Sequence, residues 1–271
     1  MKVFLNDRLM DASGARQAAA IDPTDRGLTL GDGVFETMAV RGGQIPRADA
    51  HLARLGRGAS VLGIELPMAG EDLLEALKSV IAANAISDGA VRLTCTRGPG
   101  PRGLLPPQTP SPSLIITGAG TPLGLGEPVS AIIATETRRN EHSPLSRIKS
   151  LNYLDNVLAL GEAVAKGADD ALMLNGAGNL ACATSANVFA VIGGNLVTPP
   201  VQDGCLDGVL RADVLGALGG EERTLAPGDL AGASEAFLTN CFSVRPLIMV
   251  DGQQIGNGKP GPITGRAQKR V

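Results

Sequence analysis

Two apolar rhythms run through this chain. Leu73, Leu74, Leu77, Val80 and Ile81 recur at helical spacing. Between Pro46 and Gly63 the same spacing puts Leu52, Leu55, Ala59 and Leu62 on one face and His51, Arg54 and Gly58 on another. Val91-Arg92-Leu93-Thr94-Cys95-Thr96 alternates with period two and predicts a strand. Residues 2–5, 34–40 and 114–117 read as further strands, the second after a glycine-bearing turn at Gly31-Asp32-Gly33. Gly98-Pro99-Gly100-Pro101-Arg102-Gly103 has to be a loop, because glycine and proline break both rhythms. Residues 118–128, rich in Gly and Pro, read as a linker. Beyond it come a strand over 131–135 and a helix from about Leu151 to Lys166, which Gly167 is placed to cap. Strands over 171–175, 188–192 and 196–198, a helix over 208–218 and strands over 237–239 and 247–250 complete the pattern, with an irregular Gly-rich tail. No internal repeat is visible. Strands outnumber helices and fall in hairpin-like groups, which argues for an α/β (α+β) fold and against one continuous doubly wound parallel sheet.

Composition narrows the class. The chain has 271 residues, 44% of them hydrophobic but only 2% aromatic, so the core is built from Leu, Val, Ile and Ala. A formal charge of -3 argues against nucleic acid as the main partner. Cys95, Cys182, Cys205 and Cys241 are far apart and form no CxxC, and there are two histidines, so neither a disulfide framework nor a metal cluster is expected. No apolar run approaches a membrane span and the N-terminus has no signal-like core, so a soluble, cytoplasmic protein is expected.

The most informative stretch is Ser146-Arg147-Ile148-Lys149-Ser150-Leu151-Asn152-Tyr153-Leu154-Asp155-Asn156-Val157. It sets one lysine between apolar neighbours just before a helix. An amine held in dry surroundings loses proton affinity and becomes a usable nucleophile. A lysine picked at random is a solvated helix-start residue, but here other stretches match the same chemistry in the right order. The segment resembles the Schiff-base lysine region of the class IV (fold type IV) pyridoxal-phosphate enzymes. That family holds branched-chain aminotransferases, D-amino-acid transaminases and 4-amino-4-deoxychorismate lyases.

The resemblance assigns roles residue by residue. Lys149 is the catalytic, cofactor-binding amine. Arg54, in His51-Leu52-Ala53-Arg54-Leu55, matches the arginine that meets the cofactor phosphate, where a planar fork suits an oxyanion. Gly208-Val209-Leu210-Arg211 resembles the turn that opens a helix onto that phosphate, so the backbone at Val209 and Leu210 is implicated. Leu210 stands where many relatives carry Thr, which removes a hydroxyl. Asn240 and Cys241, in Thr239-Asn240-Cys241, occupy the place of another small polar phosphate loop. Relatives usually read Glu-x-x-x-x-Asn-hydrophobic-Phe at the pyridine partner, whereas this chain reads Cys182-Ala183-Thr184-Ser185-Ala186-Asn187-Val188-Phe189. Cys182 therefore replaces the usual glutamate, and Asn187 keeps its place. A thiol protonates the ring poorly, although a thiolate beside a pyridinium could partly substitute. Tyr153 matches a tyrosine that meets the phenolic oxygen in the branched-chain enzymes.

For substrate, Phe35 and Thr37 lie in a stretch resembling the strand that enters the active site. Thr37 matches the lyases. Arg102 matches a loop arginine that reaches across a dimer interface to a substrate carboxylate. Arg138, Arg139, Asn140, Glu141 and His142 read as a hydrophilic loop near the lysine, with no catalytic role for His142.

The resemblance implies a two-domain fold like that of D-amino-acid aminotransferase. An N-terminal α/β domain spans 1–118, a connection 119–127, and a C-terminal α/β domain 128–271 carries the lysine, with the cofactor between the domains. It implies pyridoxal 5'-phosphate, a homodimer, a small amino-acid or keto-acid substrate, and no metal, membrane or nucleic acid. The leading expectation is amino transfer between an amino acid, of the D series, and a 2-oxo acid. The alternatives are a 4-amino-4-deoxychorismate lyase releasing pyruvate and 4-aminobenzoate, and a non-catalytic cofactor-binding protein.

Overall fold

The computed structural model describes residues 1–12, 20–121, 123–124 and 126–271. It divides into two compact units, Met1–Leu123 with Ile148–Asn152, and Gly124–Arg147 with Tyr153–Val271. Pro122 and Leu125, within the expected 119–127 connection, lie outside the described residues.

The first unit runs β1 (Lys2–Leu5), β2 (Arg8–Asp11), α1 (Arg26–Leu30), β3 (Gly33–Val40), α2 (Ala48–Leu62), α3 (Gly70–Ala83), β4 (Gly89–Thr96) and β5 (Ser113–Gly120). The strands form one antiparallel sheet in the order β2-β1-β5-β4-β3. Period-two alternation decides its faces. Val34, Met38, Val91, Leu93, Cys95, Leu114 and Ile116 share a core with Leu55 and Ala59 of α2 and with Leu73, Leu77, Val80 and Ile81 of α3. The opposite face carries Phe35 and Thr37 beside Thr94 and Arg92 in register. Helix α2 stops at Gly63, which adopts φ 64° and donates its N–H to the carbonyls of Ala59 and Ser60.

Strand β3 ends the sheet, and an uncovered edge would leave backbone groups unpaired. The lysine segment covers it. Phe35 N–H donates to the Lys149 carbonyl at 2.9 Å, and Leu151 N–H donates to the Gly33 carbonyl at 3.0 Å. Ile148 is buried in the same core. These bonds group Ile148–Asn152 with the first unit, although the sequence reading places the lysine in the C-terminal part.

The second unit runs β6 (Val129–Ile133), α4 (Leu154–Ala165), β7 (Asp170–Leu174), β8 (Leu180–Ala183), β9 (Asn187–Ile192), β10 (Asn195–Thr198), α5 (Val209–Leu218), β11 (Glu221–Glu222), β12 (Ala233–Thr239), β13 (Val244–Val250), β14 (Gln253–Gln254) and α6 (Pro262–Gln268). Its mixed sheet has the order β11-β10-β9-β12-β13-β6-β7-β8, with β14 added on β13. The pairs β13/β6, β6/β7 and β10/β11 are parallel, and the other neighbours are antiparallel.

Several elements depart from the sequence pattern: α1, β2, β11 and β14 have no counterpart in it, and β12 and β13 begin earlier than expected. Strand β5 extends to Gly120, into the stretch read as linker. Helix α4 begins at Leu154 rather than Leu151, because the preceding residues are committed to β3. Strand β8 is buried at all four positions and shows no alternation to detect. The tail is not irregular throughout, since it ends in α6, whose first N–H groups are satisfied from β12. Glu235 accepts from the N–H of Ile263 and Thr264 and from the Thr264 hydroxyl. A carboxylate at a helix start is favourable, but this one is 28 residues away in sequence from Ile263. Among the described residues no helix is long and apolar enough to cross a membrane.

Candidate active site

Strand β3 organises the first unit's polar chemistry by sending alternate side chains to its two faces. Phe35 points away from the helices. The Lys149 ammonium lies 4.2 Å from its ring centroid and the Arg92 guanidinium 3.7 Å. Cations are attracted to an aromatic face. Lys149 is half-buried, with its main chain fixed on β3 and Ile148 packed beneath. Thr37 is the single β3 residue that is not buried, and Arg92 opposes it on β4. The sheet face thus gathers an amine, a guanidinium, a ring and a hydroxyl.

Glu36 points to the other side, toward α2. Its carboxylate has no exposed surface. It accepts from Arg54 Nε and Nη2, each at 2.7 Å, and from His51 Nδ1 at 2.8 Å, so Nδ1 carries the hydrogen. Burial pushes the Glu36 carboxyl up, but the Arg54 and His51 bonds outweigh it and hold the group below its ordinary value. One edge of the Arg54 fork is thereby fixed.

Arg102 is exposed on the loop between β4 and β5. Nearby, Asp32 accepts from Arg26 at 2.9 Å and from Arg97 at 2.7 Å. Burial opposes its charge, and the two arginines overcome that and lower its carboxyl.

The second unit holds the remaining residues singled out from sequence. Gly208 caps α5, and a Cβ there would collide with Asn187 Oδ1. Asn187 Nδ2 donates to the Leu206 carbonyl at 2.8 Å. Asn187 therefore braces the approach to α5, whose first N–H groups belong to Val209, Leu210 and Arg211. Leu210 is buried, as its apolar side chain requires, and Val209 is half-buried. Strand β12 ends at Thr239, whose hydroxyl is buried without a hydrogen-bond partner. Asn240 Oδ1 accepts from the N–H of Phe242 and Ser243 and shapes the turn, and Cys241 is half-buried there. Tyr153 is the residue before α4.

Cys182 lies on β8, buried beside Cys205 in an apolar cluster. Burial pushes its thiol up, with Arg139 pulling the other way and Asp170 adding to the rise. Burial therefore favours the neutral thiol over the thiolate. Arg139 donates to the carbonyls of Gly204 and Ser146, and Glu141 accepts from the N–H of Gly176 and Ala177. This loop lines an open cavity of about 500 Å³.

Sequence reasoning passes over Arg92, Glu36 as the Arg54 partner, and Arg26. The alternation of 91–96 already puts Arg92 on the polar face, which is the signal that could have found it. The pairing of Glu36 with Arg54 is non-local and carries no such signal.

The amino-transferase class IV family matches residues 33–248. A D-alanine aminotransferase of Bacillus licheniformis is 34% identical over 285 residues, covering 99% of this chain and 95% of its own. A branched-chain aminotransferase of the archaeon Thermoproteus uzoniensis, solved with norvaline, has a TM-score of 0.89 at 29% identity over 99% of this chain and 92% of its own. A Legionella pneumophila structure provisionally named 4-amino-4-deoxychorismate lyase has a TM-score of 0.85 at 29% identity over 93% of this chain and 94% of its own. Another branched-chain enzyme of the same fold was solved with pyridoxamine 5'-phosphate. The chain belongs to the class IV aminotransferases, enzymes that work with pyridoxal 5'-phosphate.

The residues present fit that cofactor in part. The first unit offers a primary amine and a braced arginine. The second offers an unpartnered buried hydroxyl at Thr239, next to a polar turn, and a helix start kept clear by a glycine. At the position the resemblance gives to the ring-nitrogen partner there is a thiol, not a carboxylate.

Proposed function

We propose that this enzyme transfers an amino group from a D-amino acid to a 2-oxo acid, acting as a cytoplasmic homodimer. The observation that carries the proposal is the setting of Lys149. Its backbone is locked to the edge of β3 and its amine lies over the Phe35 ring, which the Arg92 guanidinium also meets. Likeness to D-alanine aminotransferase over nearly the whole chain supports the substrate class.

Pyridoxal phosphate, when bound, supplies an electron sink that acidifies the substrate Cα–H. In this reading Lys149 would hold the cofactor and would carry the proton at its Nζ. Arg54, steadied by Glu36, binds phosphate, and the N–H groups of Val209 and Leu210 assist. Asn240 and Cys241 would also hold the phosphate, Tyr153 would meet the phenolic oxygen, and Asn187 holds the α5 approach. Phe35 and Thr37 line the substrate site, and Arg102 binds the α-carboxylate from the neighbouring subunit. Exposed apolar residues on α4 (Leu154, Val157, Leu158 and Val164) and on the Arg102 loop (Leu104 and Leu105) support assembly. Four free cysteines, three of them buried, suit a reducing compartment.

Cys182 favours a second reading, a lyase. A neutral thiol leaves the ring nitrogen without a counter-charge and weakens the sink. Elimination tolerates this better than amino transfer, because the leaving group drains the developing charge. The two readings separate in one assay of the holoenzyme. Amino transfer from D-alanine to 2-oxoglutarate supports the first, release of pyruvate with 4-aminobenzoate from 4-amino-4-deoxychorismate supports the second, and bound cofactor with neither product contradicts both.

A further inference from the structure

We infer that Arg26 is a positioning residue. It fixes the loop that carries Arg102 and so sets the affinity for a substrate carboxylate. The inference rests on the reading of Arg102 given above.

The loop cannot hold itself. Between β4 and β5 it contains Pro99, Pro101, Pro106, Pro107, Pro110 and Pro112, none of which has an N–H to donate. Its start is tied down, since Arg26 N–H donates to the Gly98 carbonyl and Gly100 N–H donates to the Thr24 carbonyl. Within its own subunit the tip has no apolar anchor, because Leu104 and Leu105 are 83% and 84% exposed there. A connection of this length without secondary structure would ordinarily wander.

One side chain holds it. Arg26 Nη1 donates to the carbonyls of Gly103 and Leu105 at 3.0 and 3.3 Å, and Nη2 donates to the Leu104 carbonyl at 2.8 Å. Among the described residues, the hydrogen bonds that reach 101–112 are these three. They fall on the three residues that follow Arg102. A guanidinium suits the task because its two terminal nitrogens diverge at a fixed angle and meet successive carbonyls. Arg26 is itself only 4% exposed, so its charge needs a buried counter-charge. Asp32 supplies it through Nε at 2.9 Å. Asp32 is held in turn by Arg97, which donates to the carbonyls of Leu62 and Gly63 at the end of α2. The loop is thus anchored through Arg26, Asp32 and Arg97 to a packed helix. With Nε and both terminal nitrogens committed to protein acceptors, Arg26 acts on substrate only through the loop. Gly100 is required beside it, because a Cβ there would lie 2.9 Å from Arg26 Cδ.

The test uses the holoenzyme and two readouts that do not depend on turnover. Trypsin cleaves after exposed arginine, so cutting of the Arg102–Gly103 bond, followed by mass spectrometry, reports how firmly the loop is held. Calorimetric binding of 4-methylvalerate, an unreactive carboxylate that a structural relative binds, reports the site. Arg26→Gln should speed the cut and weaken binding, each about tenfold, and Arg102→Ala should weaken binding as much. If Arg26 acts through Arg102, the double variant binds no more weakly than Arg102→Ala alone. Gly100→Ala keeps the guanidinium but crowds it, so it should show both effects in milder form and serves if Arg26→Gln does not fold. Unchanged cleavage, additive losses in the double variant, or a parent enzyme that does not bind the carboxylate each overturn the inference. A parent that binds 4-methylvalerate but does not transaminate D-alanine overturns the transaminase reading and leaves this one standing.

Discussion

Loss of Glu36 should destabilise the first unit strongly. Its buried carboxylate accepts two bonds from Arg54 and one from His51. Glu36→Ala would leave a buried guanidinium without its counter-charge, a change that costs about 3–5 kcal/mol. Glu36→Gln keeps the volume but loses the charge and turns one acceptor into a donor facing Arg54 or His51, at a cost of about 1.5–3 kcal/mol. For a unit of this size about 3 °C of midpoint is lost per kcal/mol, so Glu36→Ala should melt about 10 °C or more below the parent. The pH dependence gives an independent check. The Glu36 carboxyl is lowered in the folded protein from an ordinary value of 4.5. Its contribution is therefore complete above pH 4.5 and disappears as the pH falls through the lower folded value. The gap between parent and Glu36→Ala, measured by calorimetry, should be widest at neutral pH and should narrow below that range. A midpoint within about 3 °C of the parent, or a gap that is constant with pH, would refute the assignment of Glu36 as the ionised clamp of Arg54.

Two further outcomes follow from the second unit. Cys182→Glu restores a carboxylate where a neutral thiol stands, so amino transfer from D-alanine should rise by about tenfold or more, as expected for a stronger sink; unchanged turnover with full cofactor occupancy would count against the role given to Cys182. Gly208→Ala forces a methyl onto Asn187 Oδ1 and should cost about 1–3 kcal/mol by urea denaturation while weakening cofactor binding; a variant matching the parent in both would show that Asn187 does not brace α5.

Much of the scaffold could be read from period and punctuation. The alternation of 91–96 and the 3.6-residue rhythm of 73–81 appear as β4 and α3, because each element buries one face against the other. Strand β8 escaped because it is buried on both faces, and a four-residue apolar run has no period. Helix α6 escaped because its cap, Glu235, comes from a distant strand. The chemistry divides the same way. Lys149, Arg54 and Asn187 are singled out by local motifs. Arg26, Glu36 and Asp32 act through partners that only the folded sheet brings to them. Arg26 Nη1, for example, bonds a carbonyl 77 residues further along the chain. Sequence alone leaves the ionisation of Cys182 open, and its burial on β8 is what favours the neutral thiol.

The central claim is that the Lys149 amine captures pyridoxal phosphate covalently. Borohydride reduction of the holoenzyme, followed by tryptic peptide mapping, tests it directly. One phosphopyridoxyl group is expected, on the peptide containing Lys149, and none in Lys149→Ala. A modified peptide elsewhere, or no stable adduct in protein that has bound the cofactor, would contradict it.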